Sequence, residues 1–144
     1  MLIARFDGGC WPNPGGHAAC ACLVMREEEE VYRESRYLGY GSRMTNNVAE
    51  YEGLMMILKW IGREKIGERV HVVSDSQVVI RRMTGQAGGP PTGVCASLAN
   101  DCRLAASFHG KILSFEWQRR SENEECDAMC DLEIEEAEKS DIAP

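Results

Sequence analysis

Apolar and polar residues alternate along the chain in short blocks separated by glycine, proline and charge, a pattern of strands and helices of modest length. Leu2-Ile3-Ala4-Arg5-Phe6-Asp7 predicts a strand whose apolar character stops at Asp7, and the glycine- and proline-rich stretch 8–16 predicts a loop. Residues 18–25 and 31–38 predict two more strands, joined across Arg26 and the run Glu27-Glu28-Glu29-Glu30 as a hairpin with a charged, solvated tip. Gly39-Tyr40-Gly41-Ser42 ends the second of them, and Thr45-Asn46-Asn47 supplies caps for a helix over about 48–63. Helical spacing places Glu50, Leu54, Ile57, Leu58 and Ile61 on one face, so a glutamate lies on the apolar stripe.

Val70-His71-Val72-Val73 predicts a short strand ending at Ser74-Asp75-Ser76, followed by a helix over 77–83 and an uncharged connector around Gly88-Gly89-Pro90-Pro91. A helix capped by Thr92 and running to about 108 puts Val94, Leu98, Cys102 and Ala105 on its inner face. A strand over 111–117 follows, with Leu113, Phe115 and Trp117 alternating against Ile112, Ser114 and Glu116. Ser121-Glu122-Asn123-Glu124 matches a capping box and opens a last helix to about 139, on which Asp127 shares a face with Asn123, Cys130, Ile134 and Ala137. The element order predicts an α/β or α+β domain with a mixed sheet and helices packed on it. Without a linker or repeat, residues 1–144 read as one domain with a fraying tail over 140–144.

Composition narrows the class. The seven cysteines (Cys10, Cys20, Cys22, Cys95, Cys102, Cys126, Cys130) are odd in number and lack any C-x-x-C pair, and a chain of this length needs no disulfide scaffold. With neither a signal peptide nor a transmembrane run, the expectation is a cytoplasmic protein with reduced thiols and no membrane partner. Cys126 and Cys130 stand at i, i+4, but His17, His71 and His109 show no ligand spacing beside them, so these thiols read as core. The net charge of −7 is unevenly spread: residues 121–144 hold ten acids and one lysine, residues 1–120 fifteen bases and thirteen acids. The mildly basic body permits a nucleic-acid partner without requiring one.

Four carboxylates then stand out. Asp7 and Asp75 each end an apolar strand, where α/β sheets present ligand-binding groups, and Glu50 and Asp127 lie on inward helix faces. Each has a bland reading as a turn or helix cap. Together at one sheet edge they would repel one another, and protonation or hard divalent cations relieve that. Oxygen-only ligands favour Mg²⁺ or Mn²⁺, and a pair of such ions supports phosphodiester cleavage.

Phe6-Asp7-Gly8-Gly9 with Asn13-Pro14-Gly15, Thr45-Asn46-Asn47-x-x-Glu50, Ser74-Asp75-Ser76-Gln77, and Trp117 followed by Asn123-x-x-Cys126-Asp127 resemble, in order and over nearly the whole chain, ribonuclease H of type 1. The resemblance implies an α/β ribonuclease H-like fold: a five-stranded mixed sheet, three antiparallel strands then parallel ones, flanked by helices. It implies an endonuclease hydrolysing the RNA strand of RNA–DNA hybrids with two Mg²⁺ ions, Mn²⁺ as a substitute, leaving 5′-phosphate and 3′-hydroxyl ends. Asp7, Glu50, Asp75 and Asp127 would be the catalytic and metal-holding carboxylates, with Asp7 reaching both ions. Asn13, Asn47 and Gln77 would meet the minor groove and its 2′-hydroxyls, while Arg43, Thr45 and Asn46 would grip a phosphate of the DNA strand. A histidine common in the family's last loop is absent from Gln118-Arg119-Arg120-Ser121-Glu122, leaving Arg119 and Arg120 as candidate loop contacts. No obligate protein partner is evident. The competing readings are a non-cleaving nucleic-acid module of the same fold, and a superfamily nuclease acting on DNA junctions or double-stranded RNA.

Overall fold

Strand β1 (Leu2–Trp11) lies in the middle of a five-stranded sheet. Around it stand β2 (His17–Arg26), β3 (Glu29–Tyr40), β4 (Val70–Ser74) and β5 (Leu113–Trp117), in the order β3-β2-β1-β4-β5. The β1–β2 and β2–β3 pairs are antiparallel, the β1–β4 and β4–β5 pairs parallel. The computed structural model describes residues 1–142. Helices α1 (Asn46–Arg63), α2 (Gln77–Met83), α3 (Ala96–Ser107) and α4 (Glu124–Ile142) complete it, in the five-stranded mixed arrangement that the family resemblance implies.

Alternation along β2 explains why both faces of the sheet are covered. Cys20, Cys22 and Val24 join Tyr51, Leu54, Ile57 and Ile61 of α1 in the main core, whereas Ala19, Ala21 and Leu23 meet Cys126, Cys130 and Ile134 of α4. Cys126 and Cys130 are thus core residues, and burial raises the Cys20, Cys22 and Cys102 thiols to about 12, where they stay protonated and inert. Among the described residues no helix is long and apolar enough to cross a membrane.

Five local expectations are corrected. β1 continues through Gly8, Gly9 and Cys10 to Trp11, because every one of these residues pairs with β2 and the ladder outweighs glycine's poor strand propensity. The hairpin tip is only Glu27 and Glu28, with Glu27 at φ 54; Glu29 and Glu30 enter β3 opposite Arg26 and Met25. The inner face of α3 keeps Cys102, with Leu98 and Ala105 half-buried against the core, and adds Ala99 and Ala106, whereas Val94 lies in a 3-10 turn at Gly93–Cys95 before the helix and is exposed. α4 begins at Glu124: Ser121 sits in a 3-10 turn at Arg120–Glu122, and the Asn123 carbonyl accepts the first helical bond from the Asp127 amide. The tail expected over 140–144 continues as helix to Ile142, and its last two residues lie outside the described ones.

Candidate active site

Asp7 sits inside β1 rather than at its end. What ends near it is the neighbour: parallel pairing with β4 stops at Arg5 opposite Val73, so the edge beyond opens while Asp7 stays paired with Ala21 on the other side. Glycine then lets α1 come close. A Cβ on Gly8 would fall 2.1 Å from the Ala49 carbonyl carbon and 2.3 Å from the Glu50 nitrogen, and one on Gly53 would fall 2.8 Å from the Asp7 carbonyl oxygen. Only bare backbone permits this approach, which carries Glu50 to the strand holding Asp7.

The other two carboxylates arrive on separate elements. Asp75 stands in the turn between β4 and α2; the indole Nε1 of Trp117 donates to its carbonyl oxygen at 3.0 Å. Ser76, not Ser74 or Asp75, caps α2: its Oγ accepts from the Val79 amide at 3.2 Å and donates to Glu50 at 2.6 Å. Asn123, 2% exposed, donates through Nδ2 to the Phe6 carbonyl oxygen at 2.7 Å and to an Asp75 carboxylate oxygen at 3.1 Å. Asp127 stands in the first turn of α4 and accepts from Arg120 at 3.1 and 3.3 Å. Ser76 and Asn123 are the contributors that sequence reasoning missed. The signal for Asn123 was present, a polar residue on the inward face with Asp127; Ser76 directly precedes the helix expected over 77–83, but the cap was sought at Ser74 or Asp75.

Asp7, Glu50, Asp75 and Asp127 all line one open cleft of about 370 Å³. Burial, then the Asp75, Asp127 and Glu50 charges, push Asp7 from 3.8 up to about 8, against partial relief from the Gly8 amide. Burial and Asp75 push Glu50 up to about 7 although Ser76 donates to it. Both acids bind protons more tightly folded than unfolded, so their stabilising effect is complete below about pH 4 and is lost as pH rises through 7–8. Glu34 and Glu68, held below 4.5, act in the opposite sense only at more acid pH. In EDTA, the melting temperature is therefore expected to fall on the order of 5 °C between pH 5.5 and 9, and millimolar Mg²⁺ to restore it at pH 9. A flat profile in thermal melts would contradict this account of the cleft.

The donor chemistry fits hard divalent cations: every candidate ligand is a carboxylate, and the two acids most penalised by burial gain most from a positive charge. Among the described residues no three of these groups are already gathered as a ligand set. Ser76 holds Glu50, Asn123 holds Asp75 and Arg120 holds Asp127.

Of the remaining sequence candidates, Asn46 and Arg120 line this cleft, and Gln77 lines a separate pocket with Arg81 and Trp117. Asn13 accepts at Oδ1 from the Asn46 amide (3.1 Å) and Asn46 at Oδ1 from the Cys10 amide (2.8 Å), tying the loop after β1 to the start of α1. Thr45 caps α1, accepting from the Val48 amide at 3.1 Å. Arg43, Asn47 and Gln77 are exposed beside the first turns of α1 and α2, and Arg119 is exposed in the loop before α4.

Comparison with known proteins bears on this arrangement. A family model described as reverse transcriptase-like matches residues 5–132. A bifunctional protein of Mycobacterium tuberculosis is 28% identical over 144 residues, 99% of this chain and 38% of the relative, so the chain spans well under half of that protein's length. A ribonuclease H of Dinoroseobacter shibae is 29% identical over 140 residues, covering 89% of this chain and 87% of the relative. Among solved structures, the N-terminal ribonuclease H domain of a Mycobacterium tuberculosis protein, fused to maltose-binding protein, superposes with a TM-score of 0.85 at 24% identity, covering 96% of each chain. LC11-RNase H1 in complex with an RNA/DNA hybrid superposes with a TM-score of 0.83 at 24% identity, covering 95% of this chain and 99% of the other. The chain therefore belongs to the reverse transcriptase-like family, and its sheet and helices form the ribonuclease H fold.

Proposed function

We propose that this chain is a metal-dependent endonuclease that hydrolyses the RNA strand of RNA–DNA hybrids, leaving 5′-phosphate and 3′-hydroxyl ends. The observation that carries the reading is the delivery of Asp7, Glu50, Asp75 and Asp127 from four different elements into one cleft of a ribonuclease H fold. The ribonuclease H relative and the hybrid-bound structural neighbour support the same substrate. Asp7, Glu50, Asp75 and Asp127 would hold two Mg²⁺ or Mn²⁺ ions, which when bound supply an activated water and charge neutralisation for the departing 3′ oxygen.

The chain's own groups bind and orient the duplex. Side-chain amides of Asn13, Asn47 and Gln77 both donate and accept, which suits 2′-hydroxyls in the minor groove and so distinguishes RNA from DNA. Arg43, Thr45 and Asn46 offer guanidinium, hydroxyl and amide donors to a phosphate of the DNA strand, positioning the duplex without reading its sequence. Glu50, held by Ser76, faces the cleft and receives a 2′-hydroxyl of the RNA.

The test is a gel assay on labelled hybrid, double-stranded RNA and double-stranded DNA with Mg²⁺, Mn²⁺ or EDTA. Cutting of the hybrid's RNA strand alone, abolished by EDTA, is the expected result; no cutting by folded protein in either metal would overturn the proposal. Gln77→Ala is expected to lower the preference for hybrid over DNA duplex about fivefold in binding titrations, by losing one hydrogen bond of roughly 1 kcal/mol. Unchanged preference would remove Gln77 from the RNA-reading set.

A further inference from the structure

Five acids line the cleft, the four above and Asp131, and among the described residues one lining side chain is a cation, Arg120. Its Nη2 donates to both oxygens of Asp127, at 3.1 and 3.3 Å. Its side chain lines the same cleft as Asp7 and Asp75. Glu50 and Asp75 are held by neutral donors, Ser76 and Asn123. Among the described residues, Asp127 is thus the cleft carboxylate that a cation holds, and its neighbour Arg119 makes no ion pair. The guanidinium has room to leave, because 74% of the Arg120 side chain is already in solvent.

We propose that Arg120 is an internal counter-ion that occupies the Asp127 carboxylate until a divalent cation displaces it, so that loading of the site and release of the guanidinium are one exchange. The inference rests on the reading that these carboxylates hold divalent cations, and adds what regulates their loading. The exchange makes cation binding weaker than the four carboxylates alone would give. It also frees a guanidinium at the cleft wall, available to a nucleic-acid phosphate. A phosphate that engages Arg120 draws it off Asp127 and, by linkage, tightens cation binding.

The experiment is calorimetric titration of the intact chain with MnCl₂, without nucleic acid, so that no turnover enters the readout. Arg120→Gln is expected to bind Mn²⁺ about five- to tenfold more tightly than wild type, the loss of one competing ion pair in the field of several acids. Arg120→Lys keeps a cation at the site and is expected to stay within about threefold of wild type. Arg119→Gln removes the same charge from the same loop without touching Asp127 and is expected to change affinity less than about twofold. Equal affinity in wild type and Arg120→Gln, an equal gain in Arg119→Gln, or weaker binding in Arg120→Gln would each overturn the exchange while leaving the metal site standing. Absence of Mn²⁺ binding in all four proteins, each giving a cooperative melt, would overturn the metal reading itself and the exchange with it.

Discussion

Asp7→Asn is expected to lower hybrid cleavage by at least about a thousandfold while raising the melting temperature of the metal-free protein at pH 8. The two effects share one cause. Asp7 is 5% exposed, and burial together with Asp75, Asp127 and Glu50 makes its charge costly. Asparagine keeps the shape and one oxygen but carries no charge, so metal-free stability rises by roughly 1–3 kcal/mol. On the proposed metal-dependent mechanism, the same neutrality removes one of the cation-holding carboxylates, and with it a means of neutralising charge at the scissile phosphate. Single-turnover cleavage and melts in EDTA read the two arms separately. Turnover within tenfold of wild type would dismiss the carboxylate assignment, and a lowered melting temperature would show that Asp7 is not under electrostatic strain.

Gly8→Ala tests the packing that assembles the site. A methyl group there would stand 2.1–2.4 Å from the backbone of Ala49 and Glu50, atoms that cannot rotate away. Either α1 withdraws from β1 or the strand distorts, and both disturb a core in which Tyr51, Leu54 and Ile57 are fully or almost fully buried. The expected loss is at least about 3 kcal/mol in denaturant melts, in the range of severe overpacking, with cleavage lost because Glu50 moves with the helix. Gly67→Ala, at a position with open space and no unusual φ, is expected to change stability by less than about 1 kcal/mol. Equal effects from the two substitutions would mean that the close approach at Gly8 does not hold α1 in place.

How far the site could be read beforehand differs from residue to residue. Glu50 was legible because helical periodicity is local: Leu54, Ile57, Leu58 and Ile61 mark the buried stripe, and all four are buried in the fold. Asp127 was legible in the same way through Cys130 and Ile134. Asp7 was read as a strand end because Gly8 and Gly9 look like punctuation. Their pairing with Cys20 and Ala19 reverses that, and no local signal reports it. The cap of α2 was expected at Ser74 or Asp75 and falls on Ser76, and only the position of Glu50 across the cleft gives Ser76 its second partner.

From its sequence alone, the order and type of the elements, the hydrophobic faces of α1 and α4, the four-acid constellation and the resemblance to ribonuclease H were all determined. These follow from spacing within a few residues and from motif order along the chain. Tertiary structure alone decided that β4 stops pairing at Arg5 and leaves Asp7 open on one side, and that Gly8 and Gly53 let α1 settle against β1. It alone decided that Asn123 bridges Phe6 and Asp75, and that Arg120 lands on Asp127. Such contacts join residues up to 117 positions apart, and their energies depend on burial and on the charges that surround them, neither of which exists until the chain has closed on itself.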